Sequence, residues 1–275
     1  MTAFPREAFP RLRGKKRRPA LAAVAAFLLA LPAFAADIPL PDRRSGYEFM
    51  GPDTRAMQDD DTQNPATLAV LEGEALWARK AGAAGRACAD CHGDARESMT
   101  GAAARYPRFD DASAGPIDLE GRIMQCRARR QEAPPLARES RELLALSAFV
   151  ARQSRGLPVA DAVAADARLA PFLERGRALF RRRQGQIALS CAQCHDDNWG
   201  KSLAGNAIPQ AHPTGYPLYR LEWQNVGSLQ RRLRNCMIGM RAEPYAYGAA
   251  EYLDLALYLA WRARGMAMEA PAVRP

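Results

Sequence analysis

Past residue 35, this chain has little spare positive charge, no long apolar run and almost no histidine. The formal net charge is +9, but residues 1–35 hold Arg6, Arg11, Arg13, Lys15, Lys16, Arg17 and Arg18 against Glu7 alone. The remainder carries 32 basic and 29 acidic side chains. No basic run there is interleaved with aromatics, which argues against nucleic acid as a partner. No later stretch reaches the roughly 20 apolar residues that span a bilayer, so no membrane association is expected once the leader is removed. The three histidines, His92, His195 and His212, cannot supply two imidazoles to each of two metal centres.

The leader is an export signal. Residues 11–18 form its basic segment, Ala20 to Leu31 its apolar segment, and Ala33-Phe34-Ala35 a small-x-small cleavage site. The apolar segment is short for an uncleaved anchor. Periplasmic location is expected, in a compartment that tolerates disulfides.

The six cysteines are dominated by two runs, Cys88-Ala-Asp-Cys91-His92 and Cys191-Ala-Gln-Cys194-His195. Each is C-x-x-C-H, the attachment sequence of c-type haem. Cys88, Cys91, Cys191 and Cys194 provide thioether sulfurs for two porphyrins. His92 and His195 provide one axial nitrogen to each iron. A zinc site would need a further C-x-x-C that the chain does not have.

Around these runs the chain repeats itself. Gly73-Glu-Ala-Leu76-Trp77 matches Gly176-Arg-Ala-Leu179-Phe180 at the same offset of 103 residues as the haem runs. Tyr106-Pro107, Leu119, Arg122 and Cys126 match Tyr216-Pro217, Leu229, Arg232 and Cys236 at an offset of 110, after a seven-residue insertion. Each unit closes on an apolar segment, Leu143 to Ala151 and Tyr252 to Trp261, with helical spacing and few β-branched residues. The expected fold is mainly α. Two tandem class I cytochrome c-like haem domains, residues 67–157 and 158–275, follow an irregular N-terminal arm, residues 36–66. Tyr47, Phe49 and Met50 are the candidate anchors of the arm, and Gly156-Leu-Pro158 opens the linker. Each unit should read as helix, haem loop, irregular segment, short helix and helix.

In an ordinary class I cytochrome a methionine downstream of the motif is the second axial ligand. Here the repeat places Cys126 and Cys236 there. Three readings compete. The two cysteines form a disulfide; they are free thiols beside ligands Met124 and Met237 or Met240; or each binds iron as thiolate. Their symmetric positions argue against the disulfide. A metal cation deprotonates a thiol that binds it, and a thiolate would stabilise ferric iron. Arg232 and Cys236 are four apart, hence on one helix face, where a guanidinium holds an anion against the sulfur. Arg122 and Cys126 stand in the same relation, so the repeat does not say which haem reacts. His212 is expected to be structural.

Several stretches resemble SoxA, the dihaem subunit family of SoxAX cytochromes. They are Arg44-Ser-Gly-Tyr47-Glu-Phe49-Met50, Met57-Gln-Asp-Asp-Asp61, Gly73-Glu-Ala-Leu76-Trp77, both haem motifs, His212-Pro-Thr-Gly-Tyr-Pro217, Arg232-Leu-Arg-Asn-Cys236 and Arg241-Ala-Glu-Pro244. The resemblance covers nearly the whole chain after the leader. It implies an L-cysteine S-thiosulfotransferase, which joins thiosulfate oxidatively to a cysteine of a SoxYZ-like carrier. It also implies a SoxX-like monohaem partner in a heterodimer, and two electrons passed to a small cytochrome c acceptor. By position, Cys236 is then the second haem's ligand and the catalytic cysteine, modified to a persulfide. Arg232 binds the sulfonate, and Cys126 is the first haem's ligand. Two other activities fit the residues: a dihaem thiosulfate dehydrogenase forming tetrathionate, and a plain dihaem electron carrier.

Overall fold

The computed structural model describes residues 38–275; the expected export signal lies outside them. After two 3₁₀ turns, Leu40–Asp42 and Gly46–Phe49, helix α1 covers Pro52–Asp59. The first repeat follows as α2 (Thr67–Ala78), α3 (Cys88–His92), α4 (Ala95–Ser98), β1 (Arg108–Asp110), β2 (Gly115–Ile117), α5 (Leu119–Cys126) and α6 (Arg141–Arg152). A short α7 (Ala162–Ala165) leads to the second repeat: α8 (Ala170–Arg181), α9 (Cys191–His195), β3 (Ser202–Leu203), β4 (Asn206–Ala207), β5 (Leu218–Arg220), β6 (Asn225–Gly227), α10 (Leu229–Gly239) and α11 (Ala250–Arg262). Strand β7 (Ala272–Arg274) ends the chain. The architecture is mainly α, in two cytochrome c-like halves.

Each half is built on one helix crossing, α2 on α6 and α8 on α11. Glycine makes the crossing close. A Cβ on Gly73 would stand 2.1 Å from the Ala145 carbonyl oxygen, and one on Gly176 would stand 2.1 Å from that of Asp254. This is the physical content of the Gly-x-x-Leu-aromatic repeat. The aromatic that follows each glycine, Trp77 or Phe180, is buried against the closing helix, with ring centroids 5.8 Å from Phe149 and 5.3 Å from Tyr258.

Several local expectations change. The haem motifs are single helical turns rather than loops. Each has a residue before its first cysteine as N-cap, and in α9 the Ser190 hydroxyl accepts from the Gln193 amide at 3.2 Å. The segments expected to be irregular contain antiparallel hairpins, β1–β2 and β5–β6, at the same offset of 110. Strands of three residues show no alternation long enough to read. The insertion in the second half folds as the small hairpin β3–β4. After α5 the chain makes a π-turn over Arg127–Gln131, which adds one residue relative to α10.

The halves do not stand apart; residues 38–275 pack as one unit. The expected linker is bound rather than free. Gly156 and Val159 donate backbone hydrogen bonds to Met268 and Met266, both at 2.8 Å. Across the junction Gln230 donates to Asp118 (2.9 Å), which is also gripped by both terminal nitrogens of Arg138 (2.7 and 3.0 Å). Beside them Glu120 is buried, and that burial together with the Asp118 charge pushes its carboxyl up to about 8.

The arm is partly helical and is fastened to the C-terminus. Gln58 accepts from the Val273 amide at 3.1 Å and from the Arg274 guanidinium. Arg274 also reaches the Met50 sulfur at 3.7 Å. Met50 is buried and Phe49 lies edge-on to Trp199 at 6.4 Å, so two of the three expected anchors hold it. Tyr47 instead donates to Asp59 within the arm, at 2.6 Å.

Candidate haem and substrate site

Two cavities adjoin the two motifs. The first, about 450 Å³, is lined by Cys88, Cys91 and His92 on one side and Cys126 on the other. The second, about 290 Å³, is lined by His195 and by Cys236, with Arg232 one helical turn before it. Residues 34 or 41 positions apart in sequence thus share a cavity, the histidine supplied by the haem turn and the cysteine by α5 or α10. Asp118 caps α5 and Ser228 caps α10, each accepting an amide hydrogen bond from the third helical residue.

The donor sets fit haem. The Nδ1 of His195 lies 2.6 Å from the Pro209 carbonyl oxygen, a contact that places its hydrogen on Nδ1 and leaves Nε2 as the lone-pair nitrogen. The His92 ring packs on Trp77 at 5.6 Å and the His195 ring on Phe180 at 6.4 Å, which fixes both ring planes. All six cysteines are free thiols, so the disulfide reading is not what the chain adopts. The methionine reading finds no geometry either. Met237 and Met240 are in the hydrophobic core of the second half, where Met237 accepts from the Tyr252 hydroxyl at 3.5 Å. Met124 lines a different cavity.

Cys236 is electrostatically distinct. Burial alone would push its thiol up, but a hydrogen bond with His195 and the charges of Arg232 and Arg220 outweigh that and bring it below the usual thiol range. Cys191, with burial and the neighbouring Cys236 and Cys194 sulfurs acting together, is pushed up to about 12. Burial also opposes the charge on Arg232, yet the charges of Cys236, Tyr216 and Glu222 hold its pKa above the ordinary value.

The two arginines that the repeat made equivalent are in different states. Arg122 donates to Asp110 at 2.9 Å, with Gln125 donating to the same carboxylate at 3.0 Å. At the position of Asp110 the second half has Arg220, which also lines the cavity. Arg232 makes no ion pair among the described residues. Sequence reasoning missed Arg220, although the exchange of Asp for Arg at one repeat position was visible. It also missed the Pro209 carbonyl, which carries no side-chain signal. His212 lines the same cavity while its Nδ1 contacts the Arg44 carbonyl at 2.9 Å, tying the arm to the wall. Gly46, Phe49 and Met50 of the arm complete that wall.

The family model for the SoxA/TsdA cytochrome c domain matches residues 72–159 and 175–268, one match per half. The chain belongs to the SoxA family. Membership implies c-type haem. It is 35% identical over 236 residues to an L-cysteine S-thiosulfotransferase subunit SoxA from Pseudaminobacter salicylatoxidans, covering 86% of this chain and 82% of that one. A subunit of the same name from Rhodovulum sulfidophilum is 36% identical, over 84% and 80%. The crystal structure of SoxXA from P. pantotrophus superposes with a TM-score of 0.82 at 32% identity, over 89% of this chain and 91% of that one. No helix among the described residues is long and apolar enough to cross a membrane.

Proposed function

We propose that this protein is a periplasmic L-cysteine S-thiosulfotransferase subunit. It carries two covalently attached haems and works with a SoxX-like cytochrome on a SoxYZ-like carrier. The names of its relatives support the activity, and the SoxXA likeness supports the partner. The observation that carries the assignment to the second half is the pairing state of the arginines. Arg122 is neutralised by Asp110, whereas Arg232 faces Cys236 with a second arginine, Arg220, where that acid would be.

The overall step joins a carrier thiol to thiosulfate, RSH + S₂O₃²⁻ → RS–S–SO₃⁻ + H⁺ + 2e⁻. One S–S bond forms and both electrons leave the sulfur pair for a cytochrome c acceptor. Haem, when bound, supplies the iron that accepts these electrons. Cys88 and Cys91, with Cys191 and Cys194, hold the porphyrins. His92 with Cys126, and His195 with Cys236, would hold the two irons. Arg232 binds the sulfonate end of thiosulfate in a charge-assisted hydrogen bond worth about 1.5–3 kcal/mol. That orientation turns the sulfane sulfur toward the sulfur of Cys236, which carries an added persulfide sulfur. Against the effect of burial, the His195 hydrogen bond and the charges of Arg232 and Arg220 lower the Cys236 thiol pKa, which favours the thiolate that binds metal. The arm excludes water from one wall.

Intact-mass analysis of the carrier after incubation with thiosulfate, this protein, its partner and oxidised cytochrome c tests the reading. A thiosulfonate adduct on the carrier cysteine is expected. Tetrathionate with an unmodified carrier would overturn it.

A further inference from the structure

The first cavity carries more positive charge than a porphyrin requires. Arg86, Arg105, Arg108, Arg122, Arg127 and Arg130 line it, and no Asp or Glu does. Asp110 neutralises Arg122 from outside the lining. A haem brings two propionates, which balance two of the other five arginines and leave three. Arg86, Arg105, Arg108 and Arg130 are solvent-exposed, so they form the rim rather than the floor. None of the four forms an ion pair among the described residues.

The second half shows that this charge is not a need of the haem domain. Arg86, Arg105 and Arg108 correspond to Leu189, Gly215 and Leu218. Arg127 corresponds to Met237, and beyond the π-turn insertion Arg130 falls opposite Gly239. The second cavity has Arg220, Arg232 and Arg274 in its lining but no counterpart of the four rim arginines. The four rim arginines come from three separate segments that line one cavity. The chain after residue 35 is otherwise close to charge balance, with 32 basic and 29 acidic side chains, so the rim is a local concentration of charge.

We infer that the rim of the first cavity is the docking surface for an acidic c-type cytochrome, which collects electrons at the first haem. In each encounter one electron passes from ferrous iron in this protein to ferric iron in the partner, and no bond or proton moves. Opposed charge steers such encounters and loses its effect as salt shortens the Debye length from about 30 Å at 0.01 M to about 8 Å at 0.15 M. The inference needs only a haem in the first cavity and does not depend on the thiosulfate reading.

The test measures binding of haem-loaded protein to two probes, an acidic and a basic cytochrome c, by calorimetry at low and at physiological ionic strength. The acidic probe should bind more tightly than the basic one, and its affinity should fall about tenfold or more with salt. The variant Arg86→Gln/Arg105→Gln/Arg108→Gln/Arg130→Gln should lose about tenfold at low salt and keep its weak binding of the basic probe. Stopped-flow electron transfer to the acidic probe should slow in parallel. If four substitutions cost the protein its haem, the exposed pair Arg86→Gln/Arg130→Gln gives the same reading at smaller amplitude. Equal binding of both probes by the unmodified protein overturns the inference. So does a variant that binds the acidic probe normally but has a shifted first-haem potential, since the arginines would then serve the propionates alone.

Discussion

Asp110 holds Arg122 at 2.9 Å in the first half, and the residue at its place in the second half is Arg220. Hydrogen bonds from Gln125 and Ser113, with the charge of Arg122, keep the Asp110 carboxyl below its usual range although burial opposes this. One exchange between repeats thus closes one arginine to anions and leaves the other open.

Arg220→Asp should reproduce that closure in the second half. The new carboxylate would pair with Arg232 and compete with the sulfonate, costing one charge-assisted hydrogen bond. Thiosulfate KM should rise about 10- to 100-fold, with the haem spectrum unchanged. Arg122→Gln should leave KM within about twofold, because that guanidinium is already engaged. Steady-state kinetics of both variants, with haem content measured alongside, checks the pair.

Cys236→Ala should abolish carrier modification, whereas Cys126→Met should keep most of it. Both change a proposed iron ligand, so loss of a ligand as such does not separate them; only Cys236 shares its cavity with Arg232. Mass analysis of the carrier reads the outcome. Full activity in Cys236→Ala would remove the assignment.

Glu120→Gln should stabilise the protein at neutral and alkaline pH. A carboxyl raised to about 8 binds a proton in the folded state that the unfolded chain has lost above its ordinary value. Stability from this group is therefore fully present below the unfolded pKa and is lost as pH rises through about 8. The second half already has Gln230 at this position. Near pH 9 the variant's Tm should exceed that of the unmodified protein by about 2–4 °C, the shift that ~1 kcal/mol produces in a chain of this size. Near pH 4 the two should coincide. A Tm difference independent of pH would show that Glu120 is not the titrating group.

Gly176→Ala should unfold or loosen the second half. Its Cβ would lie 2.1 Å from the Asp254 carbonyl oxygen and 2.9 Å from the Tyr258 Cβ, so α8 and α11 must separate. Overpacking of this kind costs about 1–3 kcal/mol. A lower Tm with loss of the second haem's absorbance, and a larger effect than Gly239→Ala, where nothing lies within 4 Å, is the expected pattern.

The amino-acid sequence by itself determined what is repeated and what is periodic. The C-x-x-C-H runs, the two offsets of the repeat and the apolar closing helices follow from residue identity and spacing, and the structure has all of them. Cys126 and Cys236 were readable as spare cysteines, and Arg232 as a helical neighbour of Cys236. The three-residue strands and the π-turn were not legible, because elements that short have no period. Only the tertiary structure decided between disulfide, methionine and separate thiols, since that depends on which side of α5 and α10 faces a cavity and which faces the core. It also decided that the arm, the linker at Gly156 and the C-terminal strand close one body. Those contacts run through backbone groups and long-range pairs such as Gln58 with Val273, about which local sequence carries no information.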